Sequence, residues 1–288
     1  MKISLITPAP PRSRRGNRVT AISISRFLRG LGHKVHIEEE YQGRRCDLMI
    51  ALHARRSFPS IRRFRDRHPD LPLILTLTGT DLYKDIRTDA NAKKSLEFAS
   101  RLVVLQPMGI QELPERFRKK ARVIVQSFKA PAGNLRPRKN VFEVCVLGHL
   151  RSVKDPFRAA KAARLLDPAS SIQVTHVGGA LTKKMEQEAR KESASNPRYR
   201  WIGEVPRWKA IRFLARSRLH VLSSEMEGGA NALCEAIACS VPTLASRISG
   251  SIGLLGEDYP GFFPLKDTET LASLLERAER DPLFYGKL

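Results

Sequence analysis

Short apolar runs recur along the chain, most of them separated by helix-like stretches, and this alternation constrains the fold more than any other feature. KISLI (2–6), CDLMIAL (46–52), PLILTLT (72–78), RLVVL (101–105) and ARVIV (121–125) form a first series. Helix-like stretches, including 19–31 and 57–67, lie between them. Near-continuous apolar strands alternating with helices predict a parallel sheet covered on both faces. The stretch KAPAGNLRPRKN (129–140) then breaks the pattern with prolines, a glycine and charges, as a linker does. The alternation restarts with FEVCVL (142–147), SIQVTHV (171–177), RLHVLS (218–223) and PTLAS (242–246), and helices are expected over 156–166, 182–193 and 208–215. The expected fold is α/β: two Rossmann-like domains, 1–130 and 141–288, joined by a linker over 131–140, their parallel sheets facing across a cleft. In open α/β sheets ligands bind beyond the carboxyl ends of the strands, so the loops after these runs are where chemistry is expected.

A chain of 288 residues suits two domains. Its apolar runs fall short of the roughly 18 residues that span a bilayer, and Met1–Ile6 enters a strand-like segment without a signal-peptide h-region. The expectation is a soluble, cytoplasmic protein with no membrane span. The four cysteines, Cys46, Cys145, Cys234 and Cys239, form no C-x-x-C pair and have no histidine at metal-ligand spacing, which reads as reduced and structural.

The formal charge of +22 is the compositional outlier. Residues 1–139 carry 30 lysines and arginines against 12 acidic residues, leaving 21 against 17 for the rest, so the excess belongs to the first half. Nucleic acid, an anionic membrane surface or small anionic ligands would all suit such an excess. Many of these charges lie on expected solvated helix faces such as RRFRDRH (62–68). No RNP-like run occurs, and aromatic residues do not interleave with the arginine clusters as stacking platforms would. A basic nucleic-acid-binding protein therefore remains only as an alternative from another functional class.

The segment SEMEGGANALCEAIACSVP (224–242) carries the most chemistry. No lysine or arginine occurs from Leu219 to Ser246, yet three glutamates fall within it. The segment follows an expected strand, and Gly228 and Gly229 allow close backbone approach. A helix beginning near Ala230 or Asn231 would present unpaired N–H groups to an anion. Glu227 falls in the loop before that helix and Glu235 about one turn inside it. Carboxylates are poor phosphate ligands but good acceptors from vicinal hydroxyls, so the pair suits a ligand with hydroxyls at both ends and phosphates between.

VLGHLRSVKDP (146–156) ends another strand with a glycine and supplies Arg151 and Lys154 ahead of a helix, cations suited to a diphosphate. The chain has no Walker A sequence, no G-x-G-x-x-G after a strand and no D-x-D, which disfavours P-loop NTPases, dinucleotide enzymes and a carboxylate-held metal. No metal and no cofactor are expected.

Glu227 and Glu235 match the E-x7-E motif of GT-B glycosyltransferases of family 4, and the resemblance runs over 198–250. It implies a GT-B fold, ribose binding by Glu235, donor-sugar contact by Glu227 and diphosphate binding by the basic loop with Lys154. That family usually has arginine directly after the loop glycine, where this chain has His149, and Arg151 is the candidate to replace it.

TPAPPRSRRGNRVTA (7–21), ALHARRS (51–57), LTGTDLY (77–83), VLGHLRSVKDP and SSEMEGGANALCEA together resemble the selenosugar synthases of selenoneine biosynthesis over nearly the whole chain. The resemblance implies transfer of a sugar from a UDP-sugar to selenophosphate, with a C–Se bond formed and UDP released. A family 4 glycosyltransferase with a carbohydrate or lipid acceptor is the alternative. An anionic acceptor fits the charge excess of the first half. There, Gly16 and Asn17 lie in a loop suited to phosphate, His53, Arg55 and Arg56 follow one strand, and Gly79, Thr80 and Asp81 follow another. Three strand ends on one edge are expected to converge, with His53 as a positioning or electrostatic group. Which UDP-sugar is used, the stereochemistry and the oligomeric state are not legible.

Overall fold

The computed structural model describes residues 1–13, 16–133 and 135–288. Arg14 and Arg15 of TPAPPRSRRGNRVTA and Asn134 of the expected linker lie outside the described residues. The chain divides into two compact units, one formed by Met1–Ser127 with Met226–Asn231, the other by Phe128–Glu225 with Ala232–Leu288.

The first unit holds β1 (Lys2–Ile6), β2 (Lys34–Glu38), β3 (Leu48–Leu52), β4 (Leu73–Thr76), β5 (Arg101–Val104) and β6 (Ala121–Val123) in the order β2-β1-β3-β4-β5-β6. All neighbours pair in parallel. The register is set by Ile3 beside Leu48 and Met49 beside Leu73. Every residue of β3 is buried, the mark of a strand covered on both faces. One apolar cluster gathers Met49, Leu75 and Leu102 with Phe64 of helix Phe58–Arg67 and Leu96 of helix Ala90–Phe98. The other gathers Ile3, Leu5 and Ile50 with Ala21 of helix Gly16–Gly30. Full burial of one such leucine or isoleucine contributes about 1.5–3 kcal/mol.

The second unit holds β7 (Phe142–Leu147), β8 (Ile172–Val177), β9 (Tyr199–Gly203), β10 (Leu219–Leu222), β11 (Thr243–Ser246) and β12 (Phe262–Phe263) in the order β12-β11-β10-β7-β8-β9, again parallel throughout. Val144, Val174, Leu219 and Leu244 form its core with the alanine-rich helix Arg158–Ala163 and with Leu271 and Leu275 of helix Thr268–Arg280. The small alanines let that helix lie close to the strands.

Each sheet has one place where the chain reverses its direction of strand addition. In the first it lies between β1 and β3, and in the second between β7 and β10. At such a point the neighbouring loops run to opposite faces and open a crevice beyond the carboxyl ends, so the topology alone nominates the loops after β1, β3, β7 and β10. No helix among the described residues is long and apolar enough to cross a membrane.

Candidate functional site

In the second unit, the crevice between β7 and β10 is a recess lined by Gly148, His149, Lys154, His176, Ser223 and Ser224. Lys154 ends a single tight turn, Ser152–Lys154, which Asp155 closes in the left-handed region at φ 41°. Two anchors hold this turn in place. Ser223 Oγ donates to the carbonyls of Lys154 (3.1 Å) and Asp155 (2.8 Å), and the Glu225 N–H donates to the Val153 carbonyl at 2.9 Å. Arg151 is exposed in the extended residue just before the turn.

Buried His176 lines the recess, and a second buried histidine, His220, lies in β10. His176 Nε2 donates to the Gly148 carbonyl at 3.0 Å, while Nδ1 accepts from Tyr199 OH at 3.1 Å, which fixes a neutral ring. Burial lowers its pKa to about 4. His220 is lowered to about 3, by burial first and then by the charge of Lys154 nearby. His149 Nδ1 accepts the Gly179 N–H at 3.1 Å, which leaves the ring proton on Nε2 when the ring is neutral. Close approach explains the glycine at 178: a Cβ there would collide with the Gly148 carbonyl.

Helix Asn231–Ala238 starts where the sequence placed it and buries Glu235, which is 5% exposed. The absence of a cation along its own segment is made good from another element: the Arg207 guanidinium, at the start of helix Arg207–Ala215, pairs with Glu235 Oε1. Burial raises the Glu235 pKa to about 7, against the opposing pull of Arg207. Glu225, by contrast, pairs with Lys266 at 3.0 Å in a largely exposed contact.

Met226–Asn231 belongs to the first unit. Glu227 is buried there at 8% exposure and Ala230 at 2%. A Cβ on Gly228 would collide with the Thr78 carbonyl group, and one on Gly229 with the Leu105 side chain, so larger residues are excluded from both. Gln126 Nε2 donates to the Gly229 carbonyl at 2.8 Å, and Asn231 Nδ2 reaches the carbonyl of Gly16 at 3.4 Å. Gly16 and Asn17, expected in a loop, instead form the start of helix Gly16–Gly30, where Asn17 is half-buried.

The sheet order makes β1, β3 and β4 neighbours, so the three expected loops of the first half do share one edge. Asp81 is fully buried. Its Oδ1 accepts the N–H groups of Thr78 (2.9 Å) and Gly79 (2.8 Å), and its Oδ2 accepts that of Ala54 (3.0 Å). This carboxylate stitches the loop after β4 to the loop after β3. His53 sits in the left-handed region at φ 76°, a conformation that costs a side-chain-bearing residue roughly 1 kcal/mol or more.

The His53 ring is held as firmly as its backbone. The Arg56 N–H approaches Nδ1 at 3.4 Å, which leaves Nε2 as donor to Thr80 Oγ1 at 3.2 Å, with Asp85 Oδ2 3.9 Å away. Burial pushes its pKa below the usual range, partly opposed by Asp81. Arg55 is committed to Asp85 through Nε at 3.1 Å. Arg56 is exposed, and its guanidinium makes no ion pair among the described residues.

Sequence reasoning missed Arg207, Asp85, His176 and His220. Arg207 stands 28 positions before Glu235, and only the packing of two helices joins them. The histidines lie inside strands, where no local pattern separates a buried polar support from a core residue. No group of three His, Cys, Asp or Glu side chains among the described residues could hold a metal ion.

Residues 130–288 match the family of glycosyl transferases group 1. No curated protein in the comparison matches the chain. Among solved structures, Anabaena HepE in complex with UDP and glucose aligns with a TM-score of 0.72 at 16% identity, covering 99% of this chain and 91% of that one. Sucrose-phosphate synthase from Thermosynechococcus elongatus aligns at 0.73 and 15% identity, covering 98% and 90%. The UDP-forming α,α-trehalose-phosphate synthase from Burkholderia vietnamiensis aligns at 0.66 and 14% identity, covering 92% and 71%. At these identities the likeness shows the fold, which is GT-B. With its family match extending over more than half of its length, the chain belongs to the group 1 glycosyl transferases.

Proposed function

We propose that the protein transfers a sugar from a UDP-sugar to selenophosphate, forming a C–Se bond and releasing UDP. The observation that carries the donor half of this reading is the recess at the β7–β10 reversal, where the anchored turn presents Lys154 beyond the strand ends. In this reading the diphosphate lies against Lys154 and the loop begun by Gly148, with Arg151 at its entrance. Glu235 accepts from the ribose hydroxyls, and Glu227 contacts the sugar. Lys154 stabilises the charge that grows on the departing diphosphate. The binding of UDP by HepE supports the choice of nucleotide.

Selenophosphate as the acceptor follows from the resemblance of the quoted motifs to selenosugar synthases, and the chemistry of the first unit is compatible with it. Arg56, exposed beside the neutral His53, offers a bidentate donor to a small tetrahedral anion, and the first turn of helix Gly16–Gly30, with Gly16 and Asn17, follows β1, the sheet neighbour of β3. Selenium is a strong nucleophile, so His53 positions rather than deprotonates. The test is a UDP-release assay with and without selenophosphate. Glu227→Gln and Lys154→Ala are expected to lower kcat with folding intact, and Glu235→Gln to weaken donor binding about tenfold or more. Unchanged kinetics in all three variants would refute the assignment.

A further inference from the structure

The Glu235 carboxylate is buried in a helix whose neighbours at Ala232, Ala236 and Ala238 are small and apolar. A buried carboxylate in such surroundings tends to take up a proton, and a protonated carboxyl loses much of its capacity to accept from vicinal hydroxyls. The groups around it are few. Arg207 faces it from helix Arg207–Ala215. Cys145 faces it from β7 and Cys239 from the residue just past its own helix, and burial raises the pKa of both thiols, which keeps them neutral at ordinary pH. Arg207 is thus the one cation among the described residues that acts on Glu235. Its guanidinium carbon lies 4.9 Å over the centre of the Phe128 ring, a cation–π contact that holds the side chain from a second direction.

We propose that Arg207 is a positioning residue of the donor site: braced on Phe128, it favours the anionic form of the buried Glu235 carboxylate and holds it in one orientation, ready for a ribose. This rests on the reading of Glu235 as the ribose acceptor. Arg207 itself is half-exposed and leads its helix directly after Pro206, so its replacement removes no core contact. A merely structural arginine would leave the pH profile of binding unchanged. A positioning arginine moves it, because the cation opposes the proton that burial favours.

The experiment is calorimetry of UDP binding from pH 6 to 9 for the wild type, Arg207→Gln, Arg207→Lys and Glu235→Gln. 2′,3′-Dideoxy-UDP serves as the ligand without ribose hydroxyls, and circular dichroism checks folding. The wild type is expected to gain UDP affinity as pH rises through about 7, where Glu235 loses its proton. In Arg207→Gln this gain moves to higher pH. For a displacement of one unit the variant therefore binds UDP about fivefold more weakly than the wild type at pH 7 and about tenfold more weakly at pH 6, and it recovers by pH 9. Arg207→Lys restores most of the loss, and dideoxy-UDP shows no difference between wild type and Arg207→Gln. A wild-type profile in Arg207→Gln, or a loss equal at all pH values, overturns the inference. If Glu235→Gln still weakens UDP in that case, the ribose reading stands and Arg207 alone is wrongly assigned. If Glu235→Gln binds UDP as the wild type does, the ribose reading fails and the inference fails with it.

Discussion

His176 Nε2 lies 3.0 Å from the carbonyl oxygen of Gly148, so a buried neutral imidazole in β8 holds the glycine that opens the basic loop after β7. The contact joins an interior residue to the mouth of the donor recess. Because the ring is lowered to about 4 in the folded chain and stands near 6.5 when unfolded, the unfolded state binds more protons between these values. Stability is therefore full above about pH 6.5 and falls as pH drops toward 4, by on the order of 3 kcal/mol for this group. His220, lowered to about 3, acts in the same direction. Urea titrations at pH 7 and pH 5 are expected to show a clear drop, and His176→Gln to reduce the difference. A pH-independent midpoint would show that His176 is not buried neutral.

Asp81 is expected to be a stability residue first. Its carboxylate accepts three backbone N–H groups while fully buried, and Asp81→Ala leaves all three without that partner. The cost is on the order of 3 kcal/mol or more, read as a lower urea midpoint. An Asp81→Ala variant of wild-type stability but impaired acceptor kinetics would assign it to the ligand instead.

Arg55 and Arg56 are not separable in the sequence, and the structure separates them. Arg55 holds Asp85, whereas Arg56 makes no ion pair among the described residues. Arg56→Ala is expected to raise the KM for selenophosphate about tenfold with UDP affinity unchanged, and Arg56→Lys to rescue it poorly because an ammonium lacks the planar fork. Arg55→Ala is expected to have the smaller effect. Wild-type kinetics in Arg56→Ala would remove it from the acceptor site.

The two α/β halves are legible because their central strands are covered on both faces and therefore read as unbroken apolar runs. KISLI and FEVCVL coincide with β1 and β7 to the residue. The strands that escape such reading, β2, β9 and β12, are edge or short strands with one neighbour, and KVHIE at β2 alternates charged and apolar residues accordingly. Helix Thr268–Arg280 escapes it as well, although Asp267 caps it by accepting the Thr270 N–H at 2.9 Å. In the site, loops and their residue types are readable from glycines and charges near strand ends. The partners that set their chemistry are not, because Arg207 and His176 reach Glu235 and Gly148 only through tertiary packing.

Selenosugar formation is measured by incubating the purified protein with UDP-sugars and selenophosphate and following the products by mass spectrometry. The expected result is a product that contains both the sugar and selenium, formed together with UDP and dependent on both substrates. Sugar transfer only to carbohydrate or lipid acceptors, with no selenium-containing product from any UDP-sugar, would contradict it.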